Sequence, residues 1–589
     1  MEASRAQVRA GTYYDSAVLM RLQRFLAALP GIRGVGVVMG TAANKSILAH
    51  SVLLTPEANA ARSDDLIIVV RAQDDAAAAA ALSRVDELLA QRPRDADVDY
   101  RPHSVEAAAR TMPEAGWVLI SVPGRYAAGV AREALRLGKH VFLFSDNVSL
   151  EDEVALKRSA AHKGLLVLGP DCGTAIVNGV GLGFANRVRK GPIGLVAASG
   201  TGLQQVSARL HQLGSGITHA LGTGGRDLSE AVGAVTVRQG LDLLGRDPET
   251  QVIVLVTKPP SPQVADDVLR AVRLIEKPIV VDFIGASHSV RHIDHVRLAT
   301  TLDEAAELAV QAAGSTVGSG PAPKPPGFAP PQKRYSAGQR YVRGLFSGGT
   351  LAYEAQVLLQ SYVPVVHSNA PLMREHRLRS TASAVGNAMT SEGHTILDLG
   401  DDEFTVGRLH PMMDNDLRIR RLLQEADDPE VAILLLDVVL GYGAHPDPAA
   451  ELAPAIARAC ASARAAGRSL MVVAVVVGTD ADPQGMGAQV ERLEAAGVRV
   501  ETCVEAAIQL VGRTLQALNP QPPPFSARPI HPVDLCVLRQ PMAAINVGLE
   551  SFADSLRAQG AEAIQVDWRP PAGGNEALVG ILGRMKGEA

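Results

Sequence analysis

The sequence predicts an α/β protein with parallel sheets, preceded by a smaller α+β domain. Short apolar runs alternate with amphipathic helical stretches from about Glu114 to Gly512. That is the pattern of strands buried on both faces and joined by crossover helices. A glycine-rich turn between an apolar run and a helical one occurs twice, at Gly194–Leu203 and at Gly344–Leu351. Asp247-Pro248-Glu249 before Val252–Thr257 is echoed by Asp428-Pro429-Glu430 before Val431–Leu436, at a broadly similar distance beyond each turn. A duplicated flavodoxin-like domain is the simplest account of the echo.

Residues 1–110 combine a helix-like Ser16–Leu29, apolar strands at Val35–Val38 and Asp65–Arg71, and an alanine-rich helix at Asp75–Gln91. This order fits a ferredoxin-like or ACT-like α+β sandwich. Its polar turn Gly40–Lys45 reads as a solvated loop or a ligand or partner contact. Residues 111–190 read as Rossmann-like: strand Trp117–Val122, helix Ala127–Leu137, strand His140–Phe144, helix Leu150–Lys163, and strand Leu165–Leu168 ending in Gly169-Pro170-Asp171-Cys172-Gly173. Residues 191–313 form the first flavodoxin-like domain, with strands Ile193–Ala197, Val252–Thr257 and Pro278–Phe283. Residues 314–338 are rich in Pro, Gly and Ser and read as an extended linker. Residues 339–518 repeat the α/β pattern, and 519–589 read as an arm, a partner-docking segment or a poorly ordered tail.

A chain of 589 residues is expected to hold roughly three to five domains. Hydrophobic residues make up 47% and charged residues 20%, with a net charge of −5 and no basic tract flanked by aromatics, which argues against a nucleic-acid partner. Met1–Gly11 lacks an apolar core behind a basic stretch, so no leader is expected. Val252–Thr257 and Ala432–Val439 are too short to span a bilayer. Cys172, Cys460, Cys503 and Cys536 show no CxxC spacing, against a disulfide framework or structural zinc. A cytoplasmic, enzyme-like protein with no membrane partner is expected.

The chemistry rests on the glycine turns. A strand running into Ser199-Gly200-Thr201-Gly202 or Ser347-Gly348-Gly349-Thr350 leaves unpaired N–H groups at a helix start, where the dipole favours an anion. Both sets are phosphate or carboxylate candidates; an ordinary N-capped helix is the alternative. Gly222-Thr223-Gly224-Gly225-Arg226-Asp227 is a third glycine-rich turn, whose Arg226 would clamp an oxyanion or pair with Asp227 on the surface. His367 and Asn369 follow the strand-like Val363–Val366, within a ligand's reach or as structural residues. Asp398, Gly400, Asp401, Asp402 and Glu403 read as a solvated loop rather than a Mg²⁺ site. Asp437 ends a buried apolar strand, as a helix cap or a partner of Gly441–Gly443. Cys172 has no evident base nearby, and His288, His292 and His295 lack a zinc framework, so no metal is expected.

These motifs carry a resemblance. From Trp117 to about Gly512 the chain resembles the succinyl-CoA synthetase superfamily. Ile120–Gly129, Leu168–Cys172 and Val196–Thr201 follow the α subunit's order of motifs. Gly344–Glu354, Leu397–Gly400 and Ala432–Gly441 resemble the β subunit's ligase domain. The whole chain is more closely similar to the FdrA family, through Gly11–Ser16, Asp171–Thr174 and Gly478–Gln484.

The resemblance implies a subunit of an oxamate carbamoyltransferase complex of the AllF type, in allantoin and purine catabolism. Such a complex takes oxalurate and phosphate to oxamate and carbamoyl phosphate, working with partner subunits in an oligomer. Ser199, Thr201, Arg226, Ser347 and Thr350 would then be catalytic. Gly200, Gly202, Gly224, Gly225, Gly348, Gly349 and Asn369 would line the anion sites. Three departures argue against a complete CoA ligase. The segment 1–110 stands where the CoA-binding glycine loop would be. Ile284–His295 lacks the Gly-His-Ala-Gly setting of a phosphohistidine, and Lys258-Pro259-Pro260 stands where a supporting glutamate would be. No ATP-grasp domain is visible. The alternatives are an acyl-CoA synthetase subunit, with CoA as cofactor, and a metabolite-sensing scaffold.

Overall fold

The computed structural model describes residues 3–10, 16–27, 29–40, 44–45, 48–49, 53–62, 65–90, 102–286, 291–314, 335–378, 380–381, 388–405 and 409–519, with 543–547, 554, 557–558 and 562–566 beyond. Most of the expected linker and of segment 519–589 lies outside these residues. The chain divides into two units, Met1–Pro520 and Gln521–Ala589.

The N-terminal domain is built on β1 (Ala3–Arg9), β2 (Ile32–Met39) and β3 (Leu66–Ala72), in the order β1-β3-β2 with β3 antiparallel to both neighbours. Helix Ser16–Ala27 connects β1 to β2, so the third strand inserts between the parallel ends of a split βαβ unit, as in ferredoxin-like folds. β3 reads as a continuous apolar run because both faces are covered. Leu66, Ile68 and Val70 pack with Leu22 and Leu26, while Ile67 and Val69 pack with Leu48 and Leu53. The alanine-rich helix is two pieces, Asp75–Ser83 and Val85–Ala90. Lys45 Nζ, expected in a solvated loop or contact, donates to Asn59 O at 2.9 Å and to Ala61 O, at the end of helix Pro56–Ala60.

β4 (Trp117–Ile120), β5 (His140–Leu143) and β6 (Val167–Leu168) form a small parallel sheet in that order. β7 (Thr174–Val177) and β8 (Val180–Gly183) form a hairpin on the edge of the next sheet. That sheet continues with β9 (Lys190–Ala197), β10 (Ile217–Gly222), β11 (Val252–Thr257), β12 (Ile279–Phe283), β13 (His292–Ile293) and β14 (Val296–Ala299). Its parallel core runs β10-β9-β11-β12-β14.

The last sheet has β15 (Tyr341–Phe346), then a short ribbon of β16 (Ser380–Thr381) and β17 (Ala388–Met389) set apart from it. It continues with β18 (Thr395–Asp398), β19 (Val431–Val439), β20 (Met471–Val477) and β21 (Arg499–Glu501). The order is β18-β15-β19-β20-β21, all parallel. Counted within each domain, both cores therefore run 2-1-3-4-5, the flavodoxin-like order, with the ligand-binding crevice at the carboxyl ends of strands one and three. In the second unit, β22 (Ala543–Val547) and β23 (Glu562–Val566) are parallel.

One hydrophobic core runs through both flavodoxin-like domains, from Leu203, Val206 and Leu210 to Phe346, Leu351, Ala355 and Leu359. Polar clamps fix the domains together. Asp482 accepts from Asn186 Nδ2 at 2.9 Å and Arg187 N at 2.7 Å, and Thr479 Oγ1 donates to Arg187 O at 2.8 Å. The Gly478–Gln484 motif is thus an interdomain clasp, with Gln484 also bonded to both backbone groups of Gly441.

Candidate functional site

Each glycine turn follows the first strand of its sheet. Ala197 ends β9, and helix Gly200–Gln212 begins after Ser199, whose extended backbone lets its Oγ accept from Gly202 N at 2.9 Å. A Cβ at Gly202 would collide with that Oγ, so glycine is required for the cap. Phe346 ends β15, and helix Gly349–Leu359 begins after Gly348, which has no side chain to cap with. The helix has no side-chain cap; Asp437, on β19 in the crevice between strands one and three, instead ties down the turn just ahead of it. Its carboxylate takes Ser347 N at 2.8 Å, Ser347 Oγ at 2.9 Å and Gly348 N at 2.9 Å, and is held by Arg418 at 3.1 Å. Of its two expected roles, helix cap or partner of Gly441–Gly443, Asp437 takes neither: it binds the N–H groups just ahead of the helix. Because its carboxylate occupies Ser347 and Gly348, these two do not form an open anion site.

The sheets bring the two helix ends together. Ser199 Oγ and Thr350 Oγ1 lie 2.6 Å apart, both buried. A Cβ at Gly348 would collide with Thr201, so the turns touch across a pseudo-twofold. Thr201 Oγ1 and Thr174 Oγ1 are buried without a hydrogen-bond partner among the described residues. Both lie by Gly200, the partly exposed residue of the first turn. Helix geometry leaves the N–H groups of Gly200, Thr201, Gly349 and Thr350 without intrahelical partners.

Two charged groups face this junction. Lys258 follows β11 at the carboxyl edge of the first sheet, exposed, with Nζ 5.4 Å from the ring centroid of Tyr353 on the second helix. Asp398 ends β18 and is buried, which pushes its carboxyl up to about 7 against the opposing pull of Lys258. A Cβ at Gly349 would collide with its Oδ2. Asp398 is thus buried rather than part of a solvated loop, and it takes up a proton at a much higher pH than a free aspartate. Burial also pushes His410 down to about 4, keeping that ring neutral beside Gly400.

The other expected site residues lie elsewhere or serve the frame. Asn369 is buried, its amide paired with both backbone groups of Asp398 at 3.0 and 2.9 Å; it positions Asp398 rather than meeting a ligand. His367 stacks edge-on with His376. Arg226 is not brought to the helix ends. Its Nε pairs with Glu153 at 2.9 Å and its guanidinium donates to Val148 O, on the Rossmann-like domain. Gly224, with φ +84, packs against Pro170 O, while Gly225 is exposed. Cys172 is buried with its thiol on Thr174 O and Gly222 O, pushed up to about 12 by burial, and is inert. His288 lies outside the described residues. Among the described residues no cluster of three or more His, Cys, Asp or Glu is arranged to hold a metal ion, and no helix is long and apolar enough to cross a membrane.

Sequence reasoning missed Lys258 as a ligand group and Asp398 as a buried acid. The signal for Lys258 was its place at the end of an apolar strand, where chemistry collects in parallel sheets.

Family models match in chain order: "AllF, heavy metal-associated domain" at residues 1–104, "CoA binding domain" at 188–285 and "CoA-ligase" at 345–514. The chain is 41% identical over 499 residues to YahF of Escherichia coli K12, covering 83% of this chain and 94% of that one. The chain belongs to the FdrA/AllF family of succinyl-CoA synthetase-like proteins. This FdrA/AllF-family chain is also 27% identical over 169 residues to the ADP-forming sulfoacetate-CoA ligase subunit SauD of Bilophila wadsworthia, covering 27% of this chain and 56% of that one. It is 29% identical over 144 residues to the succinate–CoA ligase α subunit of Aquifex aeolicus, covering 23% and 46%. The chain thus spans about half the length of these ligase subunits.

Two bound groups are implied by the family descriptions. For a heavy metal the residues do not fit: residues 1–104 contain no cysteine and only two histidines, His50 and His103, so the soft thiolates such ions prefer are missing. For the anionic part of a CoA-type ligand the first turn fits, through the unpartnered Thr174 and Thr201 hydroxyls beside Gly200.

Proposed function

We propose that this chain is the phosphate-handling subunit of an oxamate carbamoyltransferase complex. The observation that carries the reading is the abutment of two helix N-termini through Ser199 and Thr350, with a lysine beside them. Lys258 stands where the resembling synthetases use a glutamate to support a phosphohistidine, and the Gly-His-Ala-Gly setting is absent. A cation at that place suits direct binding of phosphate rather than relay through a histidine. In the reaction a phosphate oxygen bonds to the ureido carbonyl carbon of oxalurate. The bond from that carbon to the oxamate nitrogen breaks, and the nitrogen takes up a proton. Gly200, Thr201 and Lys258 would hold the phosphate, and the tetrahedral oxyanion would gain from N–H donors fixed in advance. Asp398, protonated near neutrality, would supply the proton.

The test is phosphorolysis of oxalurate, followed as oxamate and carbamoyl phosphate, with this chain alone and with its partner subunits. Ser199→Ala and Gly349→Val versions are run alongside. Turnover that both variants lose supports the reading. CoA-dependent hydrolysis of ATP, with no phosphorolysis, would instead make the chain a subunit of an acid–thiol ligase, as the ligase relatives favour.

A further inference from the structure

A cavity of about 320 Å³ opens at the other end of the β-strands from the paired helix turns. It lies where the Rossmann-like domain meets the first flavodoxin-like domain, a usual place for a small-molecule site of this size. Trp117, at the start of β4, forms one wall and stacks on His140 with centroids 4.9 Å apart. Leu166, Leu221 and Leu243 supply apolar surface, and Leu243 is 41% exposed at the mouth. His219, Asp247 and Arg246 supply a polar edge; Arg246 is paired with Asp242 at 2.7 Å, and Asp247 keeps acceptor capacity beside its bonds from Thr250 Oγ1 and Glu249 N.

That edge has a donor beside an acceptor. His219 Nδ1 accepts from Asn178 N at 3.0 Å, so in the neutral ring the proton sits on Nε2. Nε2 lies 3.9 Å from Asp247 Oδ2, too far for a hydrogen bond between them. A C=O accepting from His219 and an adjacent N–H donating to Asp247 would bridge the gap, with a flat ring lying against Trp117. We propose that this cavity binds a small planar heterocycle with a lactam or cyclic ureide edge, at a site separate from the anion site.

Trp117 makes the proposal measurable, since the chain has only two tryptophans. Intrinsic fluorescence of the full chain is titrated with hypoxanthine and thymine to about 10 mM, tenfold above a millimolar dissociation constant. Benzoate, flat but without the N–H/C=O edge, is the control. Saturable quenching by either heterocycle is expected, absent in Trp117→Phe. The dissociation constant should rise at least about tenfold in Asp247→Asn and in Leu243→Arg. Because Leu243 is at the open mouth, its substitution leaves the fold intact. Lack of saturation by both heterocycles, equal binding of benzoate, or quenching that survives Trp117→Phe would each overturn the proposal.

Discussion

Replacing Asp437 with alanine would remove the acceptor on which the second glycine turn is built. Ser347 N, Ser347 Oγ and Gly348 N would lose their partner, and Arg418, 4% exposed at its side chain, would keep only backbone carbonyls. Removing one member of a buried ion pair costs about 3–5 kcal/mol, because the other charge stays buried. For a domain of this size 1 kcal/mol shifts the midpoint by about 2–4 °C, so the Asp437→Ala transition should fall by roughly 6–20 °C. Asp437→Asn keeps the shape and one acceptor but turns the other atom into a donor facing N–H groups. It should cost about 1–3 kcal/mol, the value of a hydrogen bond to a charged group. Thermal melts of the full chain read both, and hydrogen exchange of the amides of residues 345–352 reads the turn itself. An alanine variant that melts within about 2 °C of the parent, with unchanged protection of Ser347 and Gly348, would refute the assignment. It would return those N–H groups to the list of ligand donors.

Three further predictions follow from the same geometry. Asp282 is wholly buried with both carboxylate oxygens unpartnered among the described residues, and burial followed by the charge of Glu304 pushes it up to about 7 from 3.8. A carboxyl raised in this way is protonated in the folded chain, so stability falls as pH rises from about 4 through 7. Asp282→Asn should therefore gain on the parent by several degrees between pH 5 and pH 8 in thermal melts, and a constant gap would contradict the burial argument. Lys258→Ala, at an exposed position, should leave the melting temperature within about 1 °C. It should weaken inorganic phosphate at least about fivefold by calorimetry, and unchanged affinity would remove Lys258 from the anion site. Thr201→Val deletes a hydroxyl without a partner and should be neutral to slightly stabilising, whereas Thr350→Val breaks the bond to Ser199 and should cost about 1 kcal/mol. Equal losses in the two melts would contradict the asymmetry of the junction.

The framework was legible because its strands are buried on both faces and so read as apolar runs. Val252–Thr257 and Val431–Val439 have no exposed residue, and the echoed Asp-Pro-Glu entries mark the third strand of each identical sheet order. The glycine turns were legible as helix starts, and a side chain at Gly202 or Gly349 would have to displace Ser199 or Asp398. What fills those turns was not. Asp437 lies 90 residues from Ser347, and only the 2-1-3 order of the strands makes them neighbours. Asp398 sits among Gly400, Asp401, Asp402 and Glu403, a local composition that reads as solvated. Its burial comes from Asn369 and from the start of helix Gly349–Leu359. Arg226 reads in sequence as an oxyanion clamp or a partner of Asp227, because its actual counter-charge, Glu153, belongs to a different domain and Asp227 is taken by Lys157.

The asymmetry of the junction follows from what happened to one position after duplication. The two turns correspond residue for residue: Ser199 with Gly348 as helix caps, Thr201 with Thr350 as second helical residues. Each cap faces the other helix's threonine. At Ser199 that contact is a hydrogen bond to Thr350. At Gly348 there is no oxygen to meet Thr201, and none fits, since a Cβ would strike it. The second helix has no side-chain cap, and Asp437 instead binds Ser347 N and Gly348 N ahead of it, which brings a buried negative charge and Arg418 to that side. An anion is disfavoured where Asp437 already sits. The buried, unpartnered hydroxyls of Thr174 and Thr201 and the cation of Lys258 all lie on the side of the first sheet. The second domain contributes the partly exposed Gly349 and the buried Asp398, whose carboxyl is pushed up to about 7. Two equivalent turns thus differ in charge, one beside the Lys258 cation and one beside the buried Asp437–Arg418 pair.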